Sequence, residues 1–304
     1  MNFKNESPSK NDASAGLVFG SLAFLIWGFS PLYWKLLAQI GAFEIILHRV
    51  VWSFVFLLPL IAWPSRRRAF WAVLTTPRHL AVFTVTALLV AANWLLYIWA
   101  INHERVLQAS LGYYINPLVN VLLGTLFLKE KLRPAQAIAC GLAACGVLYL
   151  TVVYGEFPWV ALALAFSFGL YGLIRKVVPV GSLVGLSVET LILTIPAAVG
   201  LVWLAAGSGG AFLNVSLKID LLLIGTAFVT ALPLWLFALG ARRLNLTTIG
   251  FLQYMAPTCM FFLGLFFFKE PFASAQMITF AMILSALGLY LFDSVAAYRQ
   301  REHL

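Results

Sequence analysis

Ten apolar runs, each long enough to cross a bilayer as a helix, fill most of this chain. They lie at roughly 15–38, 41–62, 79–101, 107–128, 134–154, 158–174, 183–206, 219–240, 247–268 and 273–294. A hydrocarbon core of about 30 Å takes about 20 helical residues. Within lipid the backbone must satisfy its own hydrogen bonds, which leaves only helices and closed barrels. No period-two alternation marks out barrel strands. The expected class is therefore an all-α polytopic membrane protein. Only 10% of the 304 residues are charged, against about a quarter in a soluble domain. The net charge of +9 comes from short clusters between apolar runs, as in membrane-protein loops, and does not call for a nucleic-acid partner. The loops are too short for a soluble domain, so the working parts must lie within the bilayer.

Lysine and arginine divide 15 to 5 between alternate sides. The richer side collects both chain tails, residues 63–78 and 129–133, Arg175–Lys176 and Arg242–Arg243. The poorer side holds Lys35, Arg49, Arg105, Lys218 and Lys269. Basic residues are retained on the cytoplasmic side. Both tails, 1–14 and 297–304, are expected there, with the first apolar run kept as a helix because it is too long for a signal-peptide core.

The chain also matches itself. The stretch "ASLGYYINPLVNVLLGTLFLKEKLRPAQ" (109–136) aligns with "IGFLQYMAPTCMFFLGLFFFKEPFASAQ" (249–276) at a constant offset of 140 residues. Tyr114 meets Tyr254, Pro117 meets Pro257 and Gly124 meets Gly264. Lys129-Glu130 meets Lys269-Glu270, and Gln136 meets Gln276. One residue further, Gly28 and Lys35 meet Gly169 and Lys176. The halves are 15–154 and 155–296, with five spans each. Because five is odd, the second copy is expected to insert upside down. Inverted repeats are a signature of secondary transporters that bind substrate near the midplane.

Two repeats that each end in an apolar-Lys-Glu-turn-helix segment resemble the EamA repeat of the drug/metabolite transporter superfamily. The stretches "LIWGFSPLYWKL", "EIILHRVVWS", "NWLLYIWAIN", "ASLGYYINPLVNVLLG" and "FSFGLYGLIRK" resemble its RarD branch, linked by name to chloramphenicol sensitivity. The resemblance covers nearly the whole chain. It implies a ten-helix bacterial inner-membrane permease, with a cavity lined chiefly by spans one, three, four, six, eight and nine. It names a class and no cargo.

The residues that break the apolar pattern are the candidates for a site. In "AFEIILHRVVWSFVFLLPLIA" (42–62), Glu44, His48 and Trp52 share one helix face and Arg49 the next. An arginine near the bilayer centre costs about 2.5–3.5 kcal/mol on insertion scales. Either Arg49 anchors at the interface or pairs with Glu44, or it borders a water-filled cavity with His48 and holds an anionic or zwitterionic substrate. Glu189 occupies the repeat position of His48; it is either a carboxyl bonded to a neighbouring helix or, with His48, a proton-coupling group. Pro117 and Pro257 are expected to kink matching helices and expose backbone beside the cavity. Around them stand Tyr113, Tyr114, Asn116 and Asn120, then Gln253 and Tyr254. Asn93, Trp94 and Tyr97, answered in span eight by Pro233 and Trp235, add amide and aromatic surface for a small amphipathic molecule. Trp63, Trp99 and Trp203 are assigned to interfacial belts. Gly16, Gly20, Gly141 and Gly146 are read as helix-packing positions, and the two Lys-Glu pairs as pinned helix ends.

No H-E-x-x-H, nucleophile elbow or P-loop occurs, so neither enzyme chemistry nor direct use of ATP is expected, and no cofactor or metal. The partners expected are a small-molecule substrate and membrane lipid. The primary reading is a secondary transporter exporting small metabolites or drugs by alternating access. A channel of the same fold, a membrane-embedded enzyme or a receptor are the alternatives, and a homodimer is left open. Orientation is tested by reporter fusion. Alkaline phosphatase fused near Phe212 should be active and one fused near Arg66 inactive; the opposite pattern overturns the assignment of sides.

Overall fold

The computed structural model describes residues 10–103, 106–155, 157–207, 210–268 and 273–302. Among them there is no strand. The helices are α1 (Lys10–Lys35), α2 (Ala42–Ile61), α3 (Pro64–Thr75), α4 (Pro77–Asn102), α5 (Val106–Leu128) and α6 (Pro134–Tyr154). They continue with α7 (Trp159–Val177), α8 (Ser182–Ala206), α9 (Leu217–Arg243), α10 (Leu246–Gln253), α11 (Met255–Phe262), a π-helical segment (Leu263–Phe268) and α12 (Ser274–Glu302). Ten stretches among these are long and apolar enough to cross a membrane, at the places the hydropathy indicates. The ninth is shared by α10, α11 and the π-helical segment.

One helix departs from the sequence reading, which takes 63–78 as loop. Pro64 opens α3 at its first turn, where a missing N–H costs nothing. Arg66, Arg67 and Arg68 are exposed, while Phe70 and Val73 are buried. At 12 residues α3 is too short to span, and it packs against α4 and α8.

Local polar chemistry accounts for several of the repeat matches. Gln136 Oε1 accepts from the Arg133 N–H at 3.1 Å at the start of α6. Gln276 Oε1 accepts from the Ala273 N–H at 3.0 Å at the start of α12. The two glutamines therefore hold the same helix entry in each half. Glu130 pins the start of α10: Oε1 accepts from the Leu246 N–H at 2.7 Å, and Oε2 from the Thr247 N–H at 2.9 Å and its hydroxyl at 2.8 Å. A carboxylate there satisfies otherwise orphaned N–H groups and faces the positive end of the helix dipole. Lys269-Glu270 lies outside the described residues.

The pairing of spans has a regularity. Span four packs on six as nine packs on one; one packs on eight as six packs on three; two packs on eight as seven packs on three. Spans two and seven, four and nine, and five and ten pair directly. Exchanging each span with the one five later leaves these principal pairings unchanged. The match extends to atoms. A Cβ on Gly28 would lie 2.6 Å from Cys259 Cβ, and one on Gly169 would lie 2.8 Å from Val119 Cγ1. Val119 and Cys259 are themselves repeat counterparts. Gly16, Gly20 and Gly146 also sit at close helix approaches, whereas Gly141 has open space around it and is not a packing position.

Gly28→Ala and Gly169→Ala are each expected to lower stability by about 1–3 kcal/mol through overpacking. Gly141→Ala should be neutral or stabilising, since alanine is the better helix former. Thermal midpoints of the three purified variants check the contrast.

Candidate functional site

A cavity of about 400 Å³ lies inside the bundle. Spans one, three, four, six, eight and nine line it, joined by span two through Arg49 alone. The lining residues fall toward one end of the bundle, in the later part of α1 and α4 and the earlier part of α2, α5 and α7. Its inner wall is aromatic. Phe24, Trp27 and Phe168 line it, and buried Phe237 and Tyr171 pack behind them, with ring centroids 5.2–6.1 Å apart.

Arg49 is the one charged side chain among the described residues that line this space. Its guanidinium carbon sits 4.7 Å from the Trp34 ring centroid and 4.6 Å from that of Trp94. Its Nε donates to Thr230 Oγ1 at 3.0 Å. It has no carboxylate partner among the described residues. The ion pair with Glu44 is therefore not formed. Desolvated cation–π contacts are worth about 2 kcal/mol or more each, enough for two rings to offset the about 2.5–3.5 kcal/mol cost of the charge.

The other polar lining groups are partly engaged. Asn93 Nδ2 donates to the Leu164 carbonyl at 2.9 Å and to Ser167 Oγ at 2.8 Å. Gln253 Oε1 accepts from Asn120 Nδ2 at 2.7 Å. Tyr97 and Tyr113 line the cavity with Arg49, their rings edge to face with centroids 6.0 Å apart. Asn116 is buried with its Oδ1 unpartnered.

The two prolines act unequally. Pro117 stands inside an unbroken α5, whereas the helix holding Pro257 is interrupted at Tyr254 and turns π-helical beyond Phe262. Lacking an N–H, Pro117 cannot bond the carbonyl of Tyr113, nor Pro257 that of Gln253. Those two residues are repeat counterparts, and both line the cavity.

Three expectations are corrected. His48 does not join Arg49 at the cavity; it faces a separate recess between α2, α8 and residues 210–214. There Trp52 Nε1 donates to His48 Nδ1 at 3.1 Å, and Phe212 packs on the ring at 5.1 Å. Glu44 Oε1 accepts from the Ala211 N–H at 2.6 Å and lies 3.8 Å from His48 Nε2. Tyr254 is buried away from the cavity, its hydroxyl donating to the Tyr114 carbonyl at 3.2 Å. Span eight contributes Thr230 and Leu234, while Pro233 is buried and Trp235 packs on the core.

Glu189 lies behind the aromatic wall, outside the cavity lining. It accepts from Thr86 Oγ1 at 2.6 Å and from the Tyr171 hydroxyl at 3.4 Å. Its Oε1 is 3.7 Å from Arg175 Nε. Arg175, which the sequence reading counts among exposed loop charges, is only 2% exposed. Its Nη2 donates to the Ser182 carbonyl at 2.7 Å, and Phe83 lies under the guanidinium at 5.4 Å. Trp27, Ser30, Pro31 and Trp34 were missed as lining residues. Their i, i+3, i+4, i+7 spacing, one helix face, was the signal that would have found them.

A bundle of ten apolar helices around a partly open, aromatic-walled cavity, with Arg49 the one charged side chain among its described lining residues, has the make-up of a membrane transporter. The profile of the EamA-like transporter family matches residues 14–152. An uncharacterized transporter of Vibrio cholerae serotype O1 is 47% identical over 291 residues, 96% of each chain. Protein RarD of Escherichia coli K12 is 42% identical over 287 residues, 94% of this chain and 96% of that one. The chloramphenicol-sensitive protein RarD of Pseudomonas aeruginosa is 32% identical over 290 residues, 94% of this chain and 96% of that one. A solved crystal structure shares the fold at a TM-score of 0.68, with 19% identity, covering 91% of this chain and 97% of the other. The chain belongs to the EamA-like transporter family, in its RarD branch.

Glu189→Gln leaves Arg175 buried without its carboxylate and is expected to cost about 3–5 kcal/mol. Replacing both, as Arg175→Met with Glu189→Leu, should cost less than Glu189→Gln alone. Denaturation of the three proteins in one detergent checks this; equal stability of Glu189→Gln and wild type removes the ion pair from the account.

Proposed function

We propose that the protein is a secondary transporter that exports small organic molecules across the bacterial inner membrane by alternating access. One observation carries the reading: a charged, aromatic-walled cavity lies between two sets of five spans whose pairings survive exchange of the sets. In this reading 15–154 and 155–296 are inverted repeats, and the cavity, displaced toward one end of the bundle, is the site where they meet. Rocking of one set against the other turns the cavity from one face to the other. The cargo is a small molecule, since the space is near the lower end of the roughly 300–1,000 Å³ usual for ligand pockets.

The aromatic wall favours a carrier over a channel. Phe24, Phe168, Phe237 and Tyr171 close the inner end of the cavity, and a channel needs a continuous wet path. Motive force comes from a substrate or ion gradient, because the chain has no P-loop to use ATP.

The test is counterflow in proteoliposomes with amino acids, organic acids, nucleobases, polyamines and chloramphenicol, the last chosen for the name of the Pseudomonas relative. Saturable exchange of one class is expected, and Arg49→Ala should reduce it at least tenfold with the amount of folded protein unchanged. Non-saturating leak supports the channel instead, and chemical conversion of a solute would replace transport altogether.

A further inference from the structure

The charge balance of the cavity narrows its cargo. Arg49 keeps its proton in any protein setting, so the lining itself carries one positive charge, with no acid among the described lining residues to cancel it. Aspartate and glutamate are absent from the described residues that line the space. A monoanion brings the occupied site to neutrality. A zwitterion leaves it positive, an amine doubles the charge, and a dianion overshoots. In a low-dielectric setting each uncancelled charge is expensive, which separates these classes.

The hydrogen-bond inventory gives the same answer. Of the five N–H donors of a guanidinium, the one on Nε is used by Thr230. The two terminal nitrogens donate to no described group. Those nitrogens form the fork that takes a carboxylate with two parallel bonds. The remaining wall sets the rings of Trp27, Trp34, Trp94 and Phe168 among the polar groups of Ser30, Asn93, Asn116 and Gln253, and the rings suit an aromatic body.

We infer that the cavity takes a small organic monoanion: an aromatic acid without an amine, its carboxylate seated on the terminal nitrogens of Arg49 and its ring against the tryptophans. The assignment rests on the carrier reading above and deepens it by naming the substrate class.

The test is an isosteric series on purified protein in lipid nanodiscs: 3-phenylpropanoate, 3-phenylpropanamide, phenylalanine and 3-phenylpropylamine. Binding is read from tryptophan fluorescence and from thermal shift. The acid is expected to bind about tenfold or more tighter than its amide, the gain of a charge-assisted pair. Phenylalanine should fall behind the acid, and the amine should be weakest. Arg49→Lys keeps the charge but not the fork and should lose part of the preference; Arg49→Gln should lose all of it. If either variant does not fold, the wild-type series decides alone. An amide as tight as the acid, phenylalanine ahead of its deaminated analogue, a preference surviving Arg49→Gln, or no binding by any probe at millimolar concentration overturns the assignment. Counterflow of the same acid separates the two readings. Binding without exchange keeps the substrate class and removes the carrier, while saturable exchange of amines or neutral solutes without acid binding does the reverse.

Discussion

A cation in a medium without water must find its stabilisation in the protein, and Arg49 finds it on three other spans at once. The side chain comes from α2, the rings from Trp34 on α1 and Trp94 on α4, and the hydroxyl from Thr230 on α9. No single neighbour cancels the charge. Each contributes a part, so the four helices must meet for the arginine to be tolerated. The same arrangement leaves the terminal nitrogens unengaged, because rings and a hydroxyl stabilise a guanidinium without covering its fork. A carboxylate partner within the chain would have closed the site to any other anion.

Architecture was largely legible because the bilayer reduces the choice of structure to one variable, the length of apolar runs. Repeat matches such as Gln136 with Gln276 had local causes and were readable one by one. The site was legible in composition and misplaced in geometry. His48 and Arg49 are neighbours in sequence, but successive helix residues point about 100° apart, and here one faces the recess by Phe212 and the other the cavity. Which of the two faces is wet depends on what packs opposite, and a single sequence does not state that.

Arg175 shows the complementary failure. A basic pair at the end of an apolar run reads as a loop charge, yet α7 runs on to Val177 and turns Arg175 inward to Glu189. Its partner is 14 residues away, across the turn into α8, so no spacing rule within one helix finds it. Lys176 beside it is also occupied, donating to the carbonyls of Ala241 and Leu244 at the end of α9. Both residues act as fasteners of helix ends. Their contribution to orientation is smaller than a count of loop charges assumes.

The fasteners also bear on how the bundle moves. Several polar contacts join the first five spans to the last five: Thr86 to Glu189, Glu130 to Leu246 and Thr247, and Asn120 to Gln253. An apolar seam that opens to water loses its full burial energy, about 25 cal/mol per Å². A polar contact exchanges its partner for water and changes the balance by only about 0.5–1.5 kcal/mol, somewhat more where a charge takes part. Joining the halves by hydrogen bonds at these points gives a seam that stays closed when dry and parts at modest cost once water enters. The tight glycine contacts of Gly28 and Gly169 serve the opposite purpose. Close helix approach over many atoms is lost all at once on separation, and the contacts of span one with nine and of span six with four also cross between the two sets of spans. In the proposed cycle, rocking of the sets has to keep these two contacts in place and open the seam at its hydrogen-bonded points.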